Sequence, residues 1–223
     1  MKLVVLAGIC LLSACSSTPV VQKDGTVLAQ QDYQLSNIAK SSLDITAEFH
    51  QQASQLSLRT LAEKLYKRNP RELKKSGQSL SVRLAQLLSD PLPTAQAQST
   101  LLLAFQPDYT DDRVYAYMRG LNAMINVAYN NQTEFYIIDQ LDPQKLYNSA
   151  RNIEVAAWKL NTSKDTNNTP YLLANELDNY SFEREFGKLI ANQDILARIV
   201  ADRTNRSINW FAQTAGRMVF LPF

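Results

Sequence analysis

Hydrophobic and polar positions alternate along most of this chain with the period of a helix. The clearest run is Leu58, Leu61, Ala62, Leu65 and Tyr66, spaced i, i+3, i+4, i+7 and i+8, which predicts one face of a long helix from Leu35 to Lys67. Its first half (Ile38, Ile45, Phe49, Ala53, Leu56) is less regular, and Ser41-Ser42 is a candidate break. Asn69-Pro70-Arg71-Glu72 restarts a helix, with Asn as N-cap, Pro at the first helical position and Glu closing a capping box. Gly77 is the expected stop. A short helix over Val82 to Leu88 precedes a turn at Asp90-Pro91-Leu92-Pro93.

The apolar run Leu101 to Phe105 is too short to type by period and is read as helix. Asp111 to Tyr129 carries Val114, Tyr117, Met118, Leu121, Met124, Ile125 and Ala128 in register. Thr110 is its expected cap, with Asp111 and Asp112 at the positive end of the helix dipole. Asn130-Asn131 ends it. Phe135 to Ile138 fits either a short strand or a helix start. Asp142-Pro143 opens a helix to about Asn161, and a polar loop follows to Pro170. Tyr171 to Ala174 reads as a short extended piece. A last helix from Ser181 is expected to run through Ile208, Phe211 and Ala215 to Gly216, before an apolar tail, Met218 to Phe223. No internal repeat is present. The pattern predicts an all-α domain, an irregular multi-helix bundle of about six to eight helices with short extended segments.

The first residues follow a different pattern. Met1-Lys2 is basic and Leu3 to Leu12 is apolar, too short for a span that needs ~20 residues, so the segment reads as a secretory signal peptide. Leu12-Ser13-Ala14-Cys15 resembles the lipobox of bacterial lipoproteins. The resemblance implies cleavage before Cys15 and acylation of its thiol and new amine, and it covers only these first residues. Ser16-Ser17, in place of aspartate, resembles cargo sent on to the outer membrane. The expected organisation is a signal peptide over 1–14, an acylated cysteine and flexible tether over 15–32, and a single helical periplasmic domain over 33–223. Fully extended, the tether reaches at most ~55–60 Å.

Composition narrows the chemistry. Of two cysteines, Cys10 leaves with the signal peptide and Cys15 carries lipid, so no thiol remains for a disulfide, a zinc site or a nucleophile. One histidine, His50, supports neither a hydrolase triad nor zinc. Asp108, Asp111 and Asp112 lack the spacing of a calcium loop, and the scattered glycines form no phosphate-binding motif. No metal and no cofactor is expected. A formal charge of +2 argues against nucleic acid as a partner.

Three features remain. Arg151, Asn152 and Glu154, with Glu183, Arg184, Asp202 and Arg206, form a polar set on the last two long helices. Two such carboxylates across a cleft can do acid–base chemistry, although carboxylate–guanidinium pairing is the commoner use. Lys64, Lys67, Arg68, Arg71, Lys74 and Lys75 form a candidate basic surface for anionic lipid or an acidic partner, with a solvated face as the plain alternative. The apolar tail docks on the domain itself or is captured by a partner. Together these predict a protein attached to the outer membrane by lipid on Cys15, facing the periplasm. Its expected role is that of an accessory or scaffolding protein for another envelope protein. The competing reading is an envelope enzyme or ligand carrier working through the acid/arginine set.

Overall fold

Helix α1 (Ser42–Arg68) begins where Ser41 and Asp44 close a capping box. The Ser41 hydroxyl accepts the Asp44 N–H at 3.2 Å, and the Asp44 carboxylate accepts the Ser41 N–H at 2.6 Å. The expected start at Leu35 is therefore corrected: the candidate break is the N-terminus, because a serine followed three residues on by an acid satisfies two orphan N–H groups. The computed structural model describes residues 39–89, 92–137, 139–174, 182–210 and 219–222. Cys15, the tether, Phe211 to Met218 and Phe223 lie outside these. Lys40–Phe223 is one compact unit.

Six further helices follow among the described residues: α2 (Pro70–Ser76), α3 (Leu80–Ser89), α4 (Thr94–Leu103), α5 (Arg113–Ala128), α6 (Pro143–Thr162) and α7 (Phe182–Thr204). No strand occurs among them, and the architecture is an all-α multi-helix bundle. Helix α5 is the axis. Its residues Val114, Tyr117, Leu121, Met124 and Ile125 are buried, and it packs on α4, α6, α1 and α3, while α6 and α7 form a hairpin whose second arm covers α1.

Gly120 sets the approach of α4 to α5. A Cβ there would stand 2.5 Å from the Ala97 carbonyl oxygen and the Leu101 nitrogen, and 2.6 Å from Leu101 Cβ. The α4 backbone rests directly on the α5 backbone at this point.

Several helix ends differ from expectation for tertiary reasons. The N-cap of α5 is Asp112, not Thr110; its Oδ1 accepts the Tyr115 N–H at 2.9 Å. The same buried carboxylate takes the Tyr66 hydroxyl at 2.8 Å and Arg83 Nε at 3.0 Å, so one side chain caps a helix and ties α1 to α3. Burial and the Asp112 charge push the Tyr66 hydroxyl pKa far up. Glu72 does not close a box with Asn69. It accepts the Arg113 N–H at 2.7 Å, capping α5 from outside, while Asn69 turns to the chain at Leu173. Gly77 (φ 64°) ends α2 in the left-handed conformation, as expected.

Phe135 to Ile137 is neither strand nor helix: Phe135 is buried against Tyr129, and Ile137 is exposed. Asp142 and Pro143 start α6 as predicted. Tyr171 to Ala174 joins no strand. Helix α7 stops at Thr204 rather than continuing to Gly216. Asn205 adopts φ 52° and the Arg206 N–H returns to the Ala201 carbonyl at 2.9 Å, a left-handed closure.

Candidate functional site

The polar set on the last two helices does not gather at one place. Glu183 and Asp202 are exposed near opposite ends of α7, about 28 Å apart at the helical rise. Arg184 is exposed beside Glu183. Asp202 and Arg206 border a shallow hollow of about 400 Å³ with Arg198 and Trp210, and Arg206 donates to Gln140 at 3.1 Å. Arg151 and Glu154 do meet. Arg151 Nη2 lies 3.1 Å from Glu154 and 2.7 Å from Asp194 of α7. Burial raises the pKa of both acids, and Arg151 offsets it only partly.

Asn152 faces the chain's own end. Its side-chain amide donates to the Leu221 carbonyl at 3.0 Å and accepts the Leu221 N–H at 2.6 Å, while Asn148 donates to the Pro222 carbonyl at 2.8 Å. The described part of the tail, Val219 to Pro222, is thus pinned to α6.

The basic set divides in the same way. Lys64 pairs with the buried Glu185 at 3.0 Å, Lys67 with Glu63 at 2.5 Å and Lys75 with Glu72 at 2.8 Å. At Glu185 desolvation opposes the charge, but Lys64 and Lys188 outweigh it and the pKa is lowered. Arg68 is half-buried, and Arg71 and Lys74 are exposed on α2.

The first half of α1 is inverted relative to ordinary amphipathic packing. Its buried positions are Asp44, Ala47, Gln51, Ser54 and Ser57, whereas Phe49 is 58% and Leu56 67% exposed and Ala53 lies exposed between them. The inward polar face is bonded. Asn192 Nδ2 donates to Ser54 at 2.7 Å and to the His50 carbonyl at 2.5 Å, and Gln193 reaches Ser54 at 3.0 Å and the Tyr129 hydroxyl at 3.3 Å. Burial pushes that hydroxyl's pKa up to about 12. His50 itself is a half-buried helix residue.

Beside this face lies a cleft of about 690 Å³, within the usual range for ligand sites. Helix α1 contributes Gln51, Gln52 and Gln55. From α5 come Arg119, Asn122 and Asn126, and the turn after α5 adds Asn131, Gln132 and Thr133. Leu88, Leu92 and Ala123 supply its apolar part. Several amides lock one another. Gln55 Nε2 donates to Asn122 Oδ1 at 3.1 Å and Asn126 Oδ1 at 2.9 Å, Asn122 Nδ2 reaches the Leu87 carbonyl at 3.3 Å, and Gln51 donates to the Gln132 carbonyl. Such a lining offers neutral donors and acceptors in fixed positions; it recognises by hydrogen bonding.

Sequence reasoning did not find this cleft. The available signal was Asn122 and Asn126, two amides one turn apart on the helix that buries most of its residues. Among the described residues no group of acids and histidine is placed to hold a metal ion, and no helix is long and apolar enough to cross a membrane. Compared with known families, protein sequences and solved structures, the chain matches none.

Proposed function

We propose that this chain is a bacterial envelope lipoprotein, held at the outer membrane by lipid on Cys15 and facing the periplasm. Its helical body acts as an accessory or scaffolding protein through contact with another envelope protein. The observation that carries the reading is the inverted half of α1. Phe49, Ala53 and Leu56 stand in solvent while hydrogen-bonding residues occupy the face against α7 and α5. Apolar side chains gathered on one exposed helical stripe are stabilised when a partner covers them. The anchor is supported by Leu12-Ser13-Ala14-Cys15, and multiple acyl chains provide the two or more signals that stable attachment needs. Enzymatic use of the acid/arginine set fits poorly, because Glu183 and Asp202 are far apart and Glu154 is held on Arg151.

The test is expression of the full chain in a Gram-negative host. Mass spectrometry should find acylated Cys15 at the mature N-terminus, and Cys15→Ser should move the protein out of the membrane fraction. A photo-crosslinking residue at Leu56 should give a discrete envelope-protein adduct in intact cells, and one at Arg71 should not. An unmodified Cys15, or equal adducts from both positions, refutes the reading.

A further inference from the structure

We propose that the amide cleft between α1 and α5 holds the main chain of an extended, uncharged segment of a partner polypeptide; this rests on the contact role above and gives that contact its chemistry. A side-chain amide carries one acceptor and a pair of donors in a single plane, matching the N–H and C=O of one peptide residue. Among the described residues this chain uses the match on itself three times. Asn69 donates to the Leu173 carbonyl at 3.0 Å and accepts the Leu173 N–H at 2.8 Å. Asn152 does the same for Leu221. Gln144 does so for Asn209, accepting its N–H at 2.8 Å and donating to its carbonyl at 3.4 Å. Each clamped residue lies outside a helix.

In the cleft the buried amides hold one another in place, and the groups left for such a segment are the whole amide of Gln52 and the oxygen of Gln55. Gln52 is exposed on its rim. The Gln55 nitrogen is committed to Asn122 and Asn126, and its Oε1 accepts no hydrogen bond from the described residues. Among the described lining residues Arg119 alone is charged, so a polyion would find little complementary charge. None of them is aromatic, so neither a sugar face nor a nucleobase has a ring to stack on. An extended chain turns alternate side chains to opposite sides. With its main chain on the amides, one set meets Leu88 and Leu92. Outside the cleft, Phe49 and Leu56 flank Gln52 at i−3 and i+4 on α1 and add apolar surface.

The experiment uses the purified full chain in detergent micelles to select from a displayed library of random dodecapeptides. The strongest binder is then labelled for fluorescence anisotropy. The selected sequences should be poor in charged residues. Gln52→Ala, at an exposed position that leaves folding intact, and Gln55→Leu should each weaken Kd about threefold to tenfold, the effect of one lost hydrogen bond. Lys74→Ala on α2 should leave Kd unchanged, and N-methylation of the peptide's amides should abolish binding. Failure to enrich any peptide, wild-type binding by both glutamine variants, or undiminished binding of the N-methylated peptide overturns the proposal. So does a cleft that takes chitotetraose and no peptide. Failure here leaves membrane attachment untouched, whereas a Cys15→Ser protein that stays in the membrane fraction and still binds the peptide sinks the anchor alone.

Discussion

Gly120→Ala tests the packing on which the bundle is built. A new methyl group would enter at 2.5 Å from two backbone atoms of α4 and 2.6 Å from Leu101 Cβ, where comfortable carbon contacts lie at about 3.5–4.0 Å. The overlap is about 1 Å, and a backbone cannot swing aside as a flexible side chain does. Helix α4 must retreat, and a radial gap of 0.5–1 Å forfeits about a quarter to a half of each dispersion contact along that interface. Overpacking of this kind costs about 1–3 kcal/mol, and two backbone contacts together with one to a Cβ place this site at the upper end. Replacing a mid-helix glycine by alanine returns about 1 kcal/mol of helix propensity. The net is a loss of about 2 kcal/mol, or about 4–8 °C in Tm for a chain of this size.

Gly187 supplies the matched control. It is exposed in α7, with nothing within 4 Å of its would-be Cβ, so Gly187→Ala should gain about 0.5–1 kcal/mol. Thermal unfolding followed by circular dichroism at 222 nm reads both. A Gly120→Ala protein melting at or above the wild-type temperature, or two variants shifting in the same direction, would refute the reasoning.

Two further outcomes follow from the ion pairs and the tail. Glu185 has a lowered pKa, so the stability it contributes is present above the ordinary carboxylate value of 4.5 and lost as pH falls through its folded value. Glu185→Gln should therefore destabilise by about 1–3 kcal/mol near pH 7, leaving Lys64 without its buried partner. The difference from wild type should shrink toward zero in urea titrations below pH 4; a penalty independent of pH would contradict the pairing. Asn152→Ala removes both bonds to Leu221 and should make the last residues digestible by carboxypeptidase while the Tm falls by only a few degrees. Unchanged digestion would show the clamp to be dispensable.

The helical body was readable wherever a signal is local. Leu58 to Tyr66 needed only periodicity, Asp142-Pro143 only capping chemistry, and Gly77 only its tolerance of positive φ. Failures came where a residue answers to a neighbour distant in sequence. Glu72 satisfies the local capping rule, yet it faces the first N–H of α5, and Asp112 outcompetes Thr110 because it also receives Tyr66 and Arg83. Asn205 ends α7 although apolar residues continue the period beyond it. The candidate polar set scattered because sequence proximity on α7 says nothing of which side of the bundle each turn faces. The amide cleft was invisible for a plainer reason: glutamines and asparagines on α1, α5 and a turn share no motif, and only the fold places them around one space.

The pairing of α1 with α7 also governs how the molecule is assembled. Helices α4 and α5 are joined by residues 104–112 and can meet soon after each is made, whereas the polar bonds that settle Ser54 come from Asn192 and Gln193 on α7. A chain emerging from its N-terminus must therefore carry α1 incompletely covered until α7 has been made. Of the described helices, the first made is the last to be sealed.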